Sequence, residues 1–172
     1  MPKKQIAIKE MHRTVGDLSK PAANIPTGTW KLRAIKLSSK DVTFQPKDGE
    51  EYDTVEYTLS MEPITPTASV DPTALAEVDE RTGKPVYEGK RLFLRYKANF
   101  RSDMVQLGAA LAAMGFGADD SFEDIVERNS VKGRFAQGDI FNRTYKRNDG
   151  SDGTEQKVRS WAVPGAAAGF AL

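Results

Sequence analysis

The chain has 172 residues, 39% hydrophobic and 28% charged, with 25 Lys and Arg against 24 Asp and Glu, one His and no Cys. That size and mix predict one soluble domain with a proper core. They exclude disulfides, thiolate nucleophiles and cysteine-ligated zinc or iron–sulfur centres, and no apolar run approaches the roughly 20 residues that span a bilayer.

Residues 1–26 lack sustained periodicity, carry a net charge of +3 and end in KPAANIP, which reads as a basic arm. MPKKQIAIKEMHR has no apolar stretch of signal-peptide length, so a cytoplasmic location is expected. The single histidine, His12, lies in this arm with nothing around it that resembles a positioned base, so a Ser–His–Asp triad is not expected.

The folded domain is expected over 27–164. In TWKLRAIKLSS, Trp30, Leu32 and Ala34 alternate with Lys31 and Arg33, and the parity then slips so that Ile35 and Leu37 face inward. Such a slip is what a β-bulge produces, and a bulge lets one strand serve two sheets. QPKDGEE predicts a reversal through Pro46 and Asp48-Gly49. From Asp53 to Met61, Val55, Tyr57, Leu59 and Met61 share one face, which predicts a half-buried strand antiparallel to the first.

Residues 62–89 hold four prolines and no period, and are expected to be an inserted acidic loop. A third strand is predicted from Lys90 to about Asn99, with Leu92, Leu94 and Tyr96 on one face and Arg91, Phe93, Arg95 and Lys97 on the other. Ser102 as N-cap, Asp103 in the first turn, and Met104, Leu107, Leu111 and Met114 at helical spacing predict a helix stopped by Gly115 and Gly117. A second, short helix is expected after Ser121, whose spacing to Asp124 has the form of a capping box. Val131 to about Lys146, the turn RNDGSDG and Thr154–Val163 form a closing hairpin, and 165–172 read as a loose tail.

The near-neutral total conceals a strongly uneven charge. Lys90–Arg101 carries five basic residues, three aromatics and no acid, whereas Asp41–Gly89 carries twelve carboxylates against Lys47, Arg81 and Lys84. The closing hairpin places Arg134, Arg143, Lys146, Arg147, Lys157 and Arg159 among Phe135, Phe141, Tyr145 and Trp161. Basic strands interleaved with aromatics suit a polyanion whose bases can stack, because cations track phosphates and flat rings accept any base. Single-stranded nucleic acid fits that description best.

Three strands, a helix and two strands, with a bulged first strand, is the layout of the OB-fold, a small five-stranded Greek-key barrel with a helix between strands 3 and 4. IPTGTWKLRAIKL, GKRLFLRYKANF, a helix ending LAAMGFG, and VKGRFAQGDIFNRTYKRNDGSDGTEQKVRSWAVP together resemble phage-encoded single-stranded DNA-binding and related replication-associated proteins. The resemblance covers about residues 26–164 and implies a protein that coats single-stranded DNA in replication or recombination. The chain departs from the bacterial version at its end: GAAAGFAL has no acid where those proteins carry an acidic tail with a terminal Pro-Phe, so partner recruitment by that route is not implied.

The residues expected to contact nucleic acid are Lys31, Arg33 and Lys36 on the first strand and Arg91, Phe93, Arg95 and Lys97 on the third. The hairpin adds Arg134, Phe141, Arg143, Tyr145, Arg147, Lys157 and Arg159, with Phe141, Arg143, Tyr145 and Arg147 sharing a face by alternation. Phe93 either stacks on a base or lies beneath the inserted loop, and Trp30 has the parity of the core. Asp119, Asp120, Glu123 and Asp124 read as a helix start rather than a metal site, and DGSDG as a turn, since it lacks the remaining ligands of a calcium loop. No cofactor and no catalytic residue are expected, for there is no nucleophile–base pair, phosphate-cradling glycine loop or metal-ligand spacing. Expected partners are single-stranded DNA, with RNA as a further candidate, replication or recombination proteins, and a second copy of the chain. The rival reading is an OB-like adaptor in a replisome or a counter-defence complex, in which the acidic insertion and basic strands bind protein.

Overall fold

The computed structural model describes residues 24–166; residues 1–23 of the basic arm, His12 among them, and most of the tail lie outside that range. Five strands form one antiparallel sheet: β1 (Gly28–Phe44), β2 (Tyr52–Pro66), β3 (Leu92–Lys97), β4 (Phe135–Lys146) and β5 (Asp152–Ala162). Their order is β3-β2-β1-β4-β5. A four-residue helix α1 (Pro72–Leu75) sits in the insertion, and α2 (Arg101–Ala113) and α3 (Phe122–Glu127) lie between β3 and β4. Among the described residues, no helix is long and apolar enough to cross a membrane.

β1 is the hub because its irregularity comes where the parity slips. The register with β2 shifts between Ala34 and Lys36: Ile35, expected to face inward, is instead the extra residue and only half-buried, and Leu37 returns to the core at 1% exposure. β4 pairs only with Gly28–Arg33, so β1 is shared by two neighbours before the bulge and by β2 alone after it. Asn129 fills the gap in the ladder: its Oδ1 accepts from the Leu37 N–H at 3.0 Å and its Nδ2 donates to the Ile35 carbonyl at 3.2 Å. Its backbone is left-handed (φ 48°), a region Asn tolerates better than most residues.

One face of the sheet carries the core. Trp30, Leu32, Leu59, Met61, Leu92 and Leu94 share this core with Leu107, Ala110 and Leu111 of α2, which lies against β3, β4 and β5. The core also includes Ile25, two residues before the expected start of the domain. The N-cap position of α2 is Phe100 rather than Ser102, and no side chain caps it. The Asp103 carboxylate instead accepts the Lys97 N–H at 2.8 Å, tying the first turn of α2 to the end of β3. At α3 the expected cap is present, with Ser121 Oγ accepting from the Asp124 N–H at 3.3 Å.

The proline-rich insertion is packed rather than loose, and it begins only after Pro66, since β2 continues to that residue. Val70 and Val86 are buried, and Tyr87 meets the fully buried Trp30 edge-on with ring centroids 5.0 Å apart. The Trp30 indole N–H donates to the Pro26 carbonyl at 2.9 Å. Gly28 (φ 127°) makes this approach possible, because a Cβ there would fall 2.8 Å from Val70 Cγ2.

Candidate nucleic-acid interface

The sheet does not close by backbone pairing, and its two edges define the site. The Cα atoms of β3 and β5 come within 8 Å of each other. A groove of about 300 Å³ runs between them, walled by Phe93 and Arg95 of β3, Phe141 and Arg143 of β4, and Lys157 and Arg159 of β5. Ser102, Asp103 and Gln106 of α2 form one end. Alternation explains the wall: Leu92, Leu94 and Tyr96 turn into the core and leave Phe93 59% exposed. The ladder sets Phe141 opposite Lys157 and Arg143 opposite Glu155, which puts rings and charges on one face of the hairpin.

The cations of the groove differ in how they are held. The Arg159 guanidinium lies 4.4 Å from the Phe141 ring centroid and donates to the Asp139 carboxylate at 2.9 Å. Arg143 pairs with Glu155 at 3.8 Å. Among the described residues, Arg95 and Lys157 have no carboxylate partner, so their charge is available to a ligand at no cost in broken ion pairs.

Six of the fourteen expected contact residues therefore meet in one groove: Phe93, Arg95, Phe141, Arg143, Lys157 and Arg159. Three more share the outer surface beside it. The ladders align Lys36, Ser60 and Phe93 in one row across β1, β2 and β3, and Lys40, Glu56 and Lys97 in another. Arg91 is exposed just ahead of β3.

The remaining five are engaged elsewhere. Lys31 Nζ sits 4.4 Å over the Phe135 ring, and Arg33 is paired with Glu62. Arg134 stacks 3.9 Å from the Phe116 ring centroid and donates to the Met114 carbonyl, closing the end of α2. Tyr145 lies across Gly153, where a Cβ would fall 2.5 Å from the ring. Arg147 belongs to the hairpin turn and donates to the Asp152 carbonyl at 3.1 Å. In that turn Asp149 accepts from both the Ser151 hydroxyl and its N–H, which hold the carboxyl below its ordinary value. Among the described residues, no three His, Cys, Asp or Glu side chains gather where they could hold a metal ion.

Sequence reasoning missed the α2 end of the groove. Asp103 is readable as a first-turn acid and Gln106 only as a solvated helical residue; their place beside β3 depends on how α2 docks. A second cluster was also missed: Phe44 at the end of β1 meets Tyr52 at 5.5 Å and Phe100 at 5.4 Å, with Tyr52 and Phe100 substantially exposed. Phe44 and Tyr52 flank the predicted reversal, and that symmetry was the available signal.

Tyr96, against the groove, is buried and its phenol is pushed well above the ordinary value of 10.0, with the Asp103 carboxylate adding to the shift. The folded state therefore keeps this proton after the unfolded chain has lost it. Stability from Tyr96 is complete below about pH 10 and declines as pH rises beyond it. Urea midpoints are expected to fall above about pH 10 more steeply for the natural protein than for Tyr96→Phe. Equal slopes would mean that the phenol is solvated.

No protein-family model matches the chain, and no curated protein matches it either.

Proposed function

We propose that this chain is an OB-fold protein that binds single-stranded DNA without catalysing a reaction, laying the strand along the groove between β3 and β5. The strand order, the bulged β1 shared by two neighbours and a helix between β3 and β4 support an OB barrel left partly open at the β3–β5 seam. One observation carries the functional reading: two rings, Phe93 and Phe141, and four cations converge from separate strands on a single open groove. Rings accept bases at about 1–3 kcal/mol each, and cations neutralise phosphates. The sheet beside the groove, with Lys36 and Lys97, continues the basic track. The setting in phage replication or recombination rests on the sequence resemblance alone.

Fluorescence anisotropy with labelled oligo-dT, beside a duplex of equal length, tests the reading. Two to four phosphates neutralised in the groove predict a log–log salt slope between about −1.4 and −2.8 for the single strand, and much weaker duplex binding. No binding to either would favour the adaptor reading, with the groove taking a protein segment.

A further inference from the structure

The end of the β1–β2 hairpin is unlike the rest of the molecule. β3 pairs with β2 only as far as Glu56, and beyond the bond from the Ala98 N–H to the Val55 carbonyl, Asp41–Phe44 and Tyr52–Thr54 form a two-stranded ribbon that Asn99 and Phe100 hold through Tyr52 and Phe44. Residues 41–56 hold six carboxylates against one lysine. Asp48, Glu50, Glu51 and Asp53 are exposed and, among the described residues, form no ion pair. Beside them stand the exposed rings of Tyr52 and Phe100. Carboxylates spaced along an extended backbone with accessible rings present the same chemistry as a short single strand: negative charge beside flat apolar faces.

We propose that this ribbon is a protein ligand for the basic groove of a second copy of the chain, so that copies associate head to tail when no nucleic acid is bound. The inference rests on the reading of the groove as a polyanion site. The ribbon's net charge of −5 over residues 41–56 complements Arg95 and Lys157, which have no carboxylate partner among the described residues. Its own groove is out of reach. The ladder runs unbroken from Lys36–Ser60 to Phe44–Tyr52, Phe100 braces Phe44 at its last rung, and no residue of 41–56 lines the groove. A rigid ribbon that cannot fold back can still enter another copy. Ribbon and groove are different surfaces, so the contact is heterologous and links copies head to tail into rings or open chains. Single-stranded DNA displaces it by taking the groove.

Sedimentation velocity of the full chain over a concentration series tests this at about 50 mM and about 500 mM NaCl. The expected result is association at low salt that weakens at least about tenfold at high salt, where the screening length is about threefold shorter. An oligo-dT of about eight nucleotides, within the range one such domain covers, dissolves it. The triple variant Glu50→Gln, Glu51→Gln, Asp53→Asn, altered only at exposed positions, stays monomeric and still binds oligo-dT. Lys157→Glu, altered in the groove, loses both self-association and oligo-dT binding. A natural chain that is monomeric at low salt, or a triple variant that associates as well as the natural chain, overturns the proposal while leaving DNA binding intact. Self-association that the triple variant abolishes in a chain that binds no oligo-dT upholds the interface and sinks the nucleic-acid reading instead.

Discussion

Replacing Phe93 and Phe141 together by alanine lowers affinity for oligo-dT by about thirtyfold or more. Each ring is worth about 1–3 kcal/mol as a stacking surface, and a factor of ten corresponds to about 1.4 kcal/mol. Phe93 is 59% exposed on the edge strand, so Phe93→Ala alone leaves the unfolding midpoint almost unchanged, within about 0.5 kcal/mol. Phe141 is half-buried and carries Arg159 over its ring, so its loss also frees that guanidinium. The double variant keeps all four groove cations and hence the natural salt slope; Arg95→Gln with Lys157→Gln does the reverse, flattening the slope by about 1.4. Equilibrium titrations of the two double variants separate stacking from charge. An affinity within twofold of the natural protein for Phe93→Ala/Phe141→Ala would mean that the bases stack elsewhere.

The second large effect falls on stability. Trp30→Ala is expected to cost about 3–5 kcal/mol, a large share of the roughly 5–15 kcal/mol that holds a domain together. Trp30 is fully buried near the start of β1, flanked by β2 and β4, and it holds the insertion through Tyr87. Its removal opens a cavity, strands the Pro26 carbonyl and frees the insertion at its buried attachment. Urea unfolding measures the loss, and limited proteolysis reads the local consequence: new cleavage is expected within 67–91 before cleavage elsewhere. Tyr87→Ala keeps the indole in place and is expected to expose the same segment at a smaller cost in global stability. A Trp30→Ala protein with natural stability would contradict the packing described.

These effects show which parts of the architecture could be read from residues alone. Period-two alternation with a single slip located β1 and its bulge, since a strand buried on one face must repeat every two residues and Ile35 breaks that repeat. The same rule placed Leu92, Leu94 and Tyr96 inward and Phe93 outward, which set one wall of the groove. Long-range geometry was not legible. That β3 and β5 face each other across a gap depends on how far the sheet bends, and no local pattern encodes it. The insertion was unreadable for another reason: Val70 and Tyr87 are isolated apolar residues without a period, and they meet Gly28 and Trp30 of β1. Arg134 shows the limit of composition, for a cation among aromatics looks the same whether it meets a phosphate or stacks on Phe116.

Ultraviolet cross-linking of oligo-dT to the full chain, with the adducts mapped by mass spectrometry, tests the central claim most directly. A strand lying between β3 and β5 predicts adducts concentrated on Phe93 and Phe141, lost when unlabelled oligo-dT competes. Adducts confined to the β1–β2 ribbon or to the insertion, with Phe93 and Phe141 unmodified, would contradict it.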